Sequence, residues 1–164
     1  MKLAIREYWQ NLKTEYESTY KVSIFSDYNV LKEYIECFKT YLNGLLHEHS
    51  HDLNIVCALA TVEQVLRHEE NSIQLLEEFL RKYIEELSDT DKARVYTNLA
   101  FYYTDEGNIK EYDYLSAAVK LNSPYIETYR GLALYHFSVY REKGSAEDLK
   151  RSLHAFEKGR TVSD

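Results

Sequence analysis

Apolar residues recur along this chain at intervals of three and four, and short polar runs interrupt them. This spacing places apolar side chains on one face of an α-helix. The clearest example runs from residue 93 to 124, and its first half puts these residues on one face: Tyr96, Leu99, Ala100 and Tyr103. Gly107 then breaks the pattern, and Pro124 ends the stretch after a second apolar stripe. The stretch is therefore predicted to form two helices joined by a short turn.

The same periodicity predicts eight helices in all. The predicted spans are about 2–20, 28–46, 51–68 and 72–87, two helices between 93 and 124, one from 124 and one from 145. Residues suited to capping precede several of them: Ser26 or Asp27, Asn71, Asn108 and Ser123. The connecting loops are short, which predicts antiparallel neighbours. One proline and five glycines are too few turn residues for an all-β fold, so the predicted class is all-α.

Composition indicates the size of the domain and how its helices are exposed to solvent. Hydrophobic residues make up 45% of the 164 residues, which is enough for one domain with a buried core. The chain has 16 tyrosines and one tryptophan. A tyrosine ring can pack while its hydroxyl reaches water, so this composition fits a thin helical molecule in which each helix has one wet side.

Charge and hydropathy narrow the classes of partner. The formal net charge is −7 and no Lys/Arg-rich run occurs, so neither nucleic acid nor an anionic membrane surface is expected as a partner. No stretch of about 18 apolar residues predicts a membrane span. The N-terminal residues carry charges throughout, unlike a signal peptide. Cys37 and Cys57 lie within apolar helical stripes and are predicted to be buried free thiols, which favours a cytoplasmic location.

The pattern of the clearest stretch recurs about 33 residues later. There it is carried by Tyr129, Leu132, Ala133 and His136. Together with the turn glycine, small residues on the second helix and a closing proline, this pattern resembles the tetratricopeptide repeat family. The matching residues are Tyr96, Leu99, Ala100, Tyr103, Gly107, Ala118, Leu121 and Pro124, and the chain departs from the family at Tyr112.

The resemblance implies a single right-handed helical-repeat domain over residues 1–164. Its hairpins would span 51–90, 91–124 and 125–160, after a helix pair at 1–47 that follows no repeat. One such hairpin cannot cover its own apolar face, so stacked neighbours bury it and leave a concave surface. The alternative is a generic helical bundle in which the 33-residue echo is accidental.

In that family the concave surface holds an extended peptide or a partner's helix. The residues expected to line it here are Arg94, Asn98, Phe101, Arg130, Leu134 and Phe137, with Thr97 and Glu127 on the same faces. Asn98 matches a family position that hydrogen-bonds peptide backbone. In the chaperone-binding subgroup of the family, lysines and asparagines clamp a C-terminal carboxylate. This chain has Thr97, Phe101 and Glu127 at those positions, so that ligand is not expected. The lining suits a protein or peptide with apolar and acidic side chains. The equal alternative for each of these residues is ordinary helix surface or packing against another helix.

Three function classes follow, and an enzyme is not among them because no catalytic motif is present. The first is an adaptor or regulator without a cofactor, similar in layout to bacterial peptide-sensing regulators, although no DNA-binding segment is recognisable. The second is a structural protein that forms a homodimer through its Tyr-rich N-terminal helices. The third is a small metalloprotein, since imidazoles bind zinc, nickel or copper and the loop at 47–51 contains His47, His49 and His51.

Overall fold

The computed structural model describes residues 2–21, 23, 28–103 and 109–163, with side chains omitted at 28–30 and 163. These residues form eight helices and no strand, which confirms the all-α prediction for them. The helices are α1 (Lys2–Tyr20), α2 (Tyr28–Glu48), α3 (Leu53–Val65), α4 (Glu69–Tyr83), α5 (Asp89–Tyr102), α6 (Ile109–Lys120), α7 (Ile126–Lys143) and α8 (Ala146–Ser163). The predicted caps at Ser26 or Asp27 and at Asn108, and the turn at Gly107, lie outside the described residues.

The chain divides into two compact units, residues 1–79 and 80–164, and the division falls within α4. Each unit buries hydrophobic residues of its own. The single repeat domain over 1–164 and its hairpin limits stay predictions. Among the described helices, none combines the length and the apolarity that crossing a membrane requires.

The core of the first unit is rich in aromatic rings. Tyr8 of α1 stacks on Tyr41 of α2 with ring centroids 3.8 Å apart, and the fully buried Tyr16 meets Tyr34 edge-on at 4.9 Å. The buried residues of this core are Ile5, Tyr16, Leu31, Ile35, Phe38, Leu42, Ile55, Leu59, Val62 and Leu66. These four tyrosines pack within one chain, and the homodimer through the N-terminal helices stays a prediction.

Helix starts differ from the predicted caps at two places. Asn71 lies inside α4, because that helix begins at Glu69 and the Asn71 backbone N–H donates to the carbonyl of His68. Ser123 does not cap α7, which begins two residues after Pro124; its hydroxyl instead accepts from the backbone N–H of Tyr125 at 3.2 Å. Asp52 caps α3 and Ser88 caps α5, and the Ser145 hydroxyl accepts from the backbone N–H of Asp148 at 3.3 Å at the start of α8.

Two further predictions need correction in the first unit. Cys37 is exposed, whereas Cys57 is buried as predicted, and neither forms a disulfide. The apolar stripe that contains Cys37 in the sequence of α2 is broader than the face that this helix buries in the structure. The predicted loop at 47–51 is also shorter, because α2 continues through Glu48 and carries His47 with it.

The second unit is built from successive helix contacts. Helix α5 packs on α6, α6 on α7 and α7 on α8, and α5 also contacts α7. Two glycines allow close approach. A Cβ added to Gly131 of α7 would lie 3.0 Å from Cδ2 of Leu115 on α6, and one added to Gly159 of α8 would lie 3.1 Å from Cβ of Tyr129 on α7. Ser152 donates to the carbonyl of Ala133 at 2.8 Å and fixes the register of α8 on α7.

A buried carboxylate joins three segments of the first unit. Glu63 of α3 lies 2.9 Å from Nζ of Lys39 on α2 and 3.0 Å from Nδ1 of His68, which follows α3. Burial alone would raise the pKa of Glu63, but hydrogen bonds from Lys39, His68 and Asn71 and the charge of Lys39 outweigh it and lower the pKa below 4.5. The ionised form of Glu63 therefore stabilises the folded unit.

Replacing Glu63 with glutamine removes this charge at nearly constant volume. Because the folded pKa is lowered, the stabilisation is present above pH 4.5 and is lost as the pH falls through the folded value. We expect Glu63→Gln to lower the free energy of unfolding by about 1–3 kcal/mol at neutral pH and by less at acidic pH. Urea denaturation followed by circular dichroism at several pH values measures both.

The matched control is Glu33→Gln, which makes the same change at an exposed position of α2. It should alter the free energy of unfolding by less than about 0.5 kcal/mol. A Glu63→Gln protein as stable as the control at neutral pH would contradict the structural role of the ion cluster.

The glycine contacts give a second prediction, with opposite signs at two helical sites. Gly159→Ala forces a Cβ against the Cβ of Tyr129, which cannot rotate away, so we expect a loss of about 1–3 kcal/mol. Gly44→Ala on α2 meets no atom within 4 Å and should stabilise the protein by about 0.5–1 kcal/mol through helix propensity. Urea denaturation compares the two; a stabilising Gly159→Ala would show that α7 and α8 are less tightly packed.

Candidate binding surfaces

The predicted groove residues on α5 are not alike. Arg94, Asn98 and Phe101 are half-buried, so each presents part of its side chain to solvent. Thr97 does not belong with them. It is only 4% exposed, donates to the carbonyl of Ala93 at 2.8 Å and is 2.7 Å from Oγ1 of Thr128 on α7. The prediction that Thr97 lines a wet face is therefore wrong, because that side of α5 packs on α7.

The predicted residues on α7 are exposed. Arg130 is exposed, as are Leu134 (55%) and Phe137 (44%). With the exposed Arg141 they follow one another at intervals of four, three and four, which is one face of a helix. The ring of Phe137 lies 6.2 Å from that of Tyr140 on the same helix. Helix α7 thus carries two apolar side chains between two arginines on a solvent-facing surface.

Helices α5 and α7 meet through hydroxyl groups. Oγ1 of Thr128 is 2.7 Å from Oγ1 of Thr97 and 2.7 Å from Oγ of Ser123. All three residues are buried. This contact brings the two helices with predicted groove residues side by side. That the six predicted side chains line one shared groove stays a prediction.

The histidines of 47–51 do not assemble a metal site. Nε2 of His49 lies 4.0 Å from a carboxylate oxygen of Glu48, its sequence neighbour. Over the described parts of the chain, no group of three or more His, Cys, Asp or Glu side chains is placed to hold a metal ion. Helix α2 includes His47, whereas His49 and His51 follow its end.

Sequence reasoning missed a cleft of about 540 Å³ in the second unit. Helices α6, α7 and α8 form it. Its lining residues are Val119, Tyr129, Leu132, His136, Glu147, Lys150, Arg151, His154, Ala155 and Lys158. The floor is apolar and α8 contributes the charges. The signal was present in the sequence, since Lys150, His154 and Lys158 are spaced four apart and must share a helix face.

His136 is the buried polar residue of this cleft. It is 6% exposed, and its Nδ1 lies 3.4 Å from Oδ1 of Asp148, a distance at which no well-formed hydrogen bond is made. Burial lowers the pKa of His136 below 6.5, although the Asp148 carboxylate acts in the opposite direction. The imidazole is therefore neutral at neutral pH. His136 stands where the first repeat has Tyr103, and it packs in the interior, where the ring of Tyr112 meets it edge-on with centroids 5.7 Å apart.

A second cavity, of about 530 Å³, lies in the first unit between α1, α2 and α3. Its lining is almost entirely apolar and consists of Trp9, Leu31, Ile35, Phe38, Ala58, Thr61, Val62 and Val65. It has no charged side chain that would orient a ligand.

No family model, curated protein or solved structure matches this chain. The resemblance to tetratricopeptide repeats accordingly rests on the quoted residues and stays a prediction. A function has to be argued from the surfaces of the molecule itself.

Proposed function

We propose that this protein is a non-catalytic binding module that takes a peptide or protein segment with apolar and acidic side chains. The observation that carries the proposal is the exposed face of α7, where Leu134 and Phe137 lie between Arg130 and Arg141. Aromatic residues and arginine are enriched at protein interfaces, and arginine is among the residues that carry most of the binding energy there.

The energetics favour an occupant for this face. Helix α7 buries Tyr129, Ala133 and His136 on other sides, yet leaves Leu134 and Phe137 about half exposed. Burying a fully exposed side chain of this size contributes on the order of 1.5–3 kcal/mol. Because Leu134 and Phe137 are already about half covered, full burial would contribute about half of that free energy for each. The two arginines would then favour acidic over basic segments. Without these arginines, the net charge of −7 would repel an acidic segment.

The tetratricopeptide-like arrangement is part of the proposal. Support comes from the order of helix contacts in the second unit and from the direct α5–α7 contact, which is what neighbouring hairpins of such a repeat make. In that arrangement Arg94, Asn98 and Phe101 of α5 would extend the α7 face into a concave groove. Arginine, leucine and phenylalanine offer recognition and no nucleophile or base, so the module is proposed as an adaptor or regulator, in a cytoplasm that keeps Cys37 and Cys57 reduced.

A peptide selection tests the proposal without a known partner. Random 16-residue peptides displayed on phage are selected on the purified full chain, and the winners are synthesised with a fluorescent label. We expect them to combine Asp or Glu with Leu or Phe. Arg130→Glu and Phe137→Ser should each weaken binding at least tenfold, measured by fluorescence anisotropy, because a tenfold change is about 1.4 kcal/mol and corresponds to one lost anchor.

Matched controls lie on α1 of the first unit. Arg6→Glu makes the same charge reversal at an exposed position, and Leu3→Ser removes an exposed leucine. Neither should change the affinity by more than about twofold, which is under 0.5 kcal/mol. Selected peptides that lack acidic residues, or that bind the α7 variants as well as the unaltered chain, would overturn the proposed function.

A further inference from the structure

We propose that the cleft between α6, α7 and α8 binds a small organic carboxylate with an apolar body. This site is separate from the exposed α7 face and does not depend on the proposed function. The juxtaposition that carries the proposal is an apolar floor beside Lys150 and Lys158, two lysines that make no ion pair within the described residues.

The floor of the cleft is apolar and rigid. It is formed by Val119 of α6, Leu132 and Tyr129 of α7, and Ala155 of α8. The Tyr129 hydroxyl donates to the carbonyl of Ser123 at 3.1 Å, so its ring is held in place and presents a flat surface. A volume of about 540 Å³ lies within the range of roughly 300–1,000 Å³ typical of small-molecule sites.

The wall from α8 is cationic. Lys150, His154 and Lys158 are spaced four apart and line the cleft together. In the part of the chain that the structure describes, none of these three side chains makes an ion pair or a side-chain hydrogen bond. Arg151 also lines the cleft but is paired with Glu147, its Nε lying 3.4 Å from Oε1.

The charge of this wall is opposite in sign to the net charge of the protein. The cleft lining holds three cations, Lys150, Arg151 and Lys158, against one acid, Glu147, whereas the chain carries −7. Lys150 and Lys158 carry the same charge on the same wall, so an anion bound between them would be attracted by both. Beside an apolar floor, the attraction for an anion is stronger than on open surface because the local dielectric is lower.

His136 is the buried polar residue of the cleft lining. Its side chain is more than nine-tenths buried, and its Nδ1 faces Oδ1 of Asp148 at 3.4 Å. We therefore assign the recognition of the ligand carboxylate to Lys150 and Lys158, while the apolar body of the ligand covers Leu132 and Val119.

Three probes separate the charge of the ligand from its apolar body. They are 2-naphthoate, the uncharged 2-naphthamide of the same shape, and inorganic phosphate, which has charge without an apolar body. We expect 2-naphthoate to bind at least tenfold more tightly than either of the others, measured by isothermal titration calorimetry on the full chain. In NMR spectra, 2-naphthoate should shift the ring signals of His136 and His154 and leave those of His47, His49 and His51 unchanged.

The test variant is Lys150→Glu with Lys158→Glu, both at exposed positions that do not endanger folding. It should weaken 2-naphthoate binding at least tenfold and leave 2-naphthamide binding unchanged. The control is Lys2→Glu with Lys32→Glu, the same charge change at exposed positions of α1 and α2, which should alter neither. Equal binding of naphthoate and naphthamide, equal losses in the two variants, no binding of naphthoate, or shifts at the histidines of 47–51 instead would each overturn the proposal.

Discussion

The organisation of the second unit depends on a buried row of three hydroxyl groups. Oγ1 of Thr128 on α7 lies 2.7 Å from Oγ1 of Thr97 on α5 and 2.7 Å from Oγ of Ser123, which precedes α7. The Thr97 hydroxyl also donates to a backbone carbonyl. A buried hydroxyl without a partner is costly, so the row fixes the rotation of α7 against α5. That rotation decides which α7 side chains face α8 and which face solvent.

Both candidate sites follow from this rotation of α7. One side of the helix directs Tyr129 and His136 into the cleft under α8, and another leaves Leu134 and Phe137 exposed. Gly159 and Ser152 then bring α8 close enough for its cationic row to form the wall of the cleft. The exposed face is the proposed site for a peptide, and the cleft with its apolar floor is the proposed site for a small anion.

The sequence predicted the helices well and their ends less well. Apolar spacing alone located eight helices, because one-sided burial imposes the period of 3.6 residues. The errors at Asn71, Ser123 and Cys37 share a cause. The type of a side chain shows that it is suited to a helix cap or to an apolar stripe. Its environment in the folded protein depends on residues far away in the chain. Ser123 was taken for a cap and is used instead in the hydroxyl row with Thr128.

The sequence by itself determined the helical class and that Arg130, Leu134 and Phe137 share one face of α7, since these follow from one helix and its period. Only the tertiary structure decided that Thr97 is buried, that Glu63 is held between Lys39 and His68, and that His136 lines a cleft with Lys150 and Lys158. Each of these depends on the rotation of one helix against another. That rotation is set by contacts between residues distant in sequence, which local periodicity does not encode.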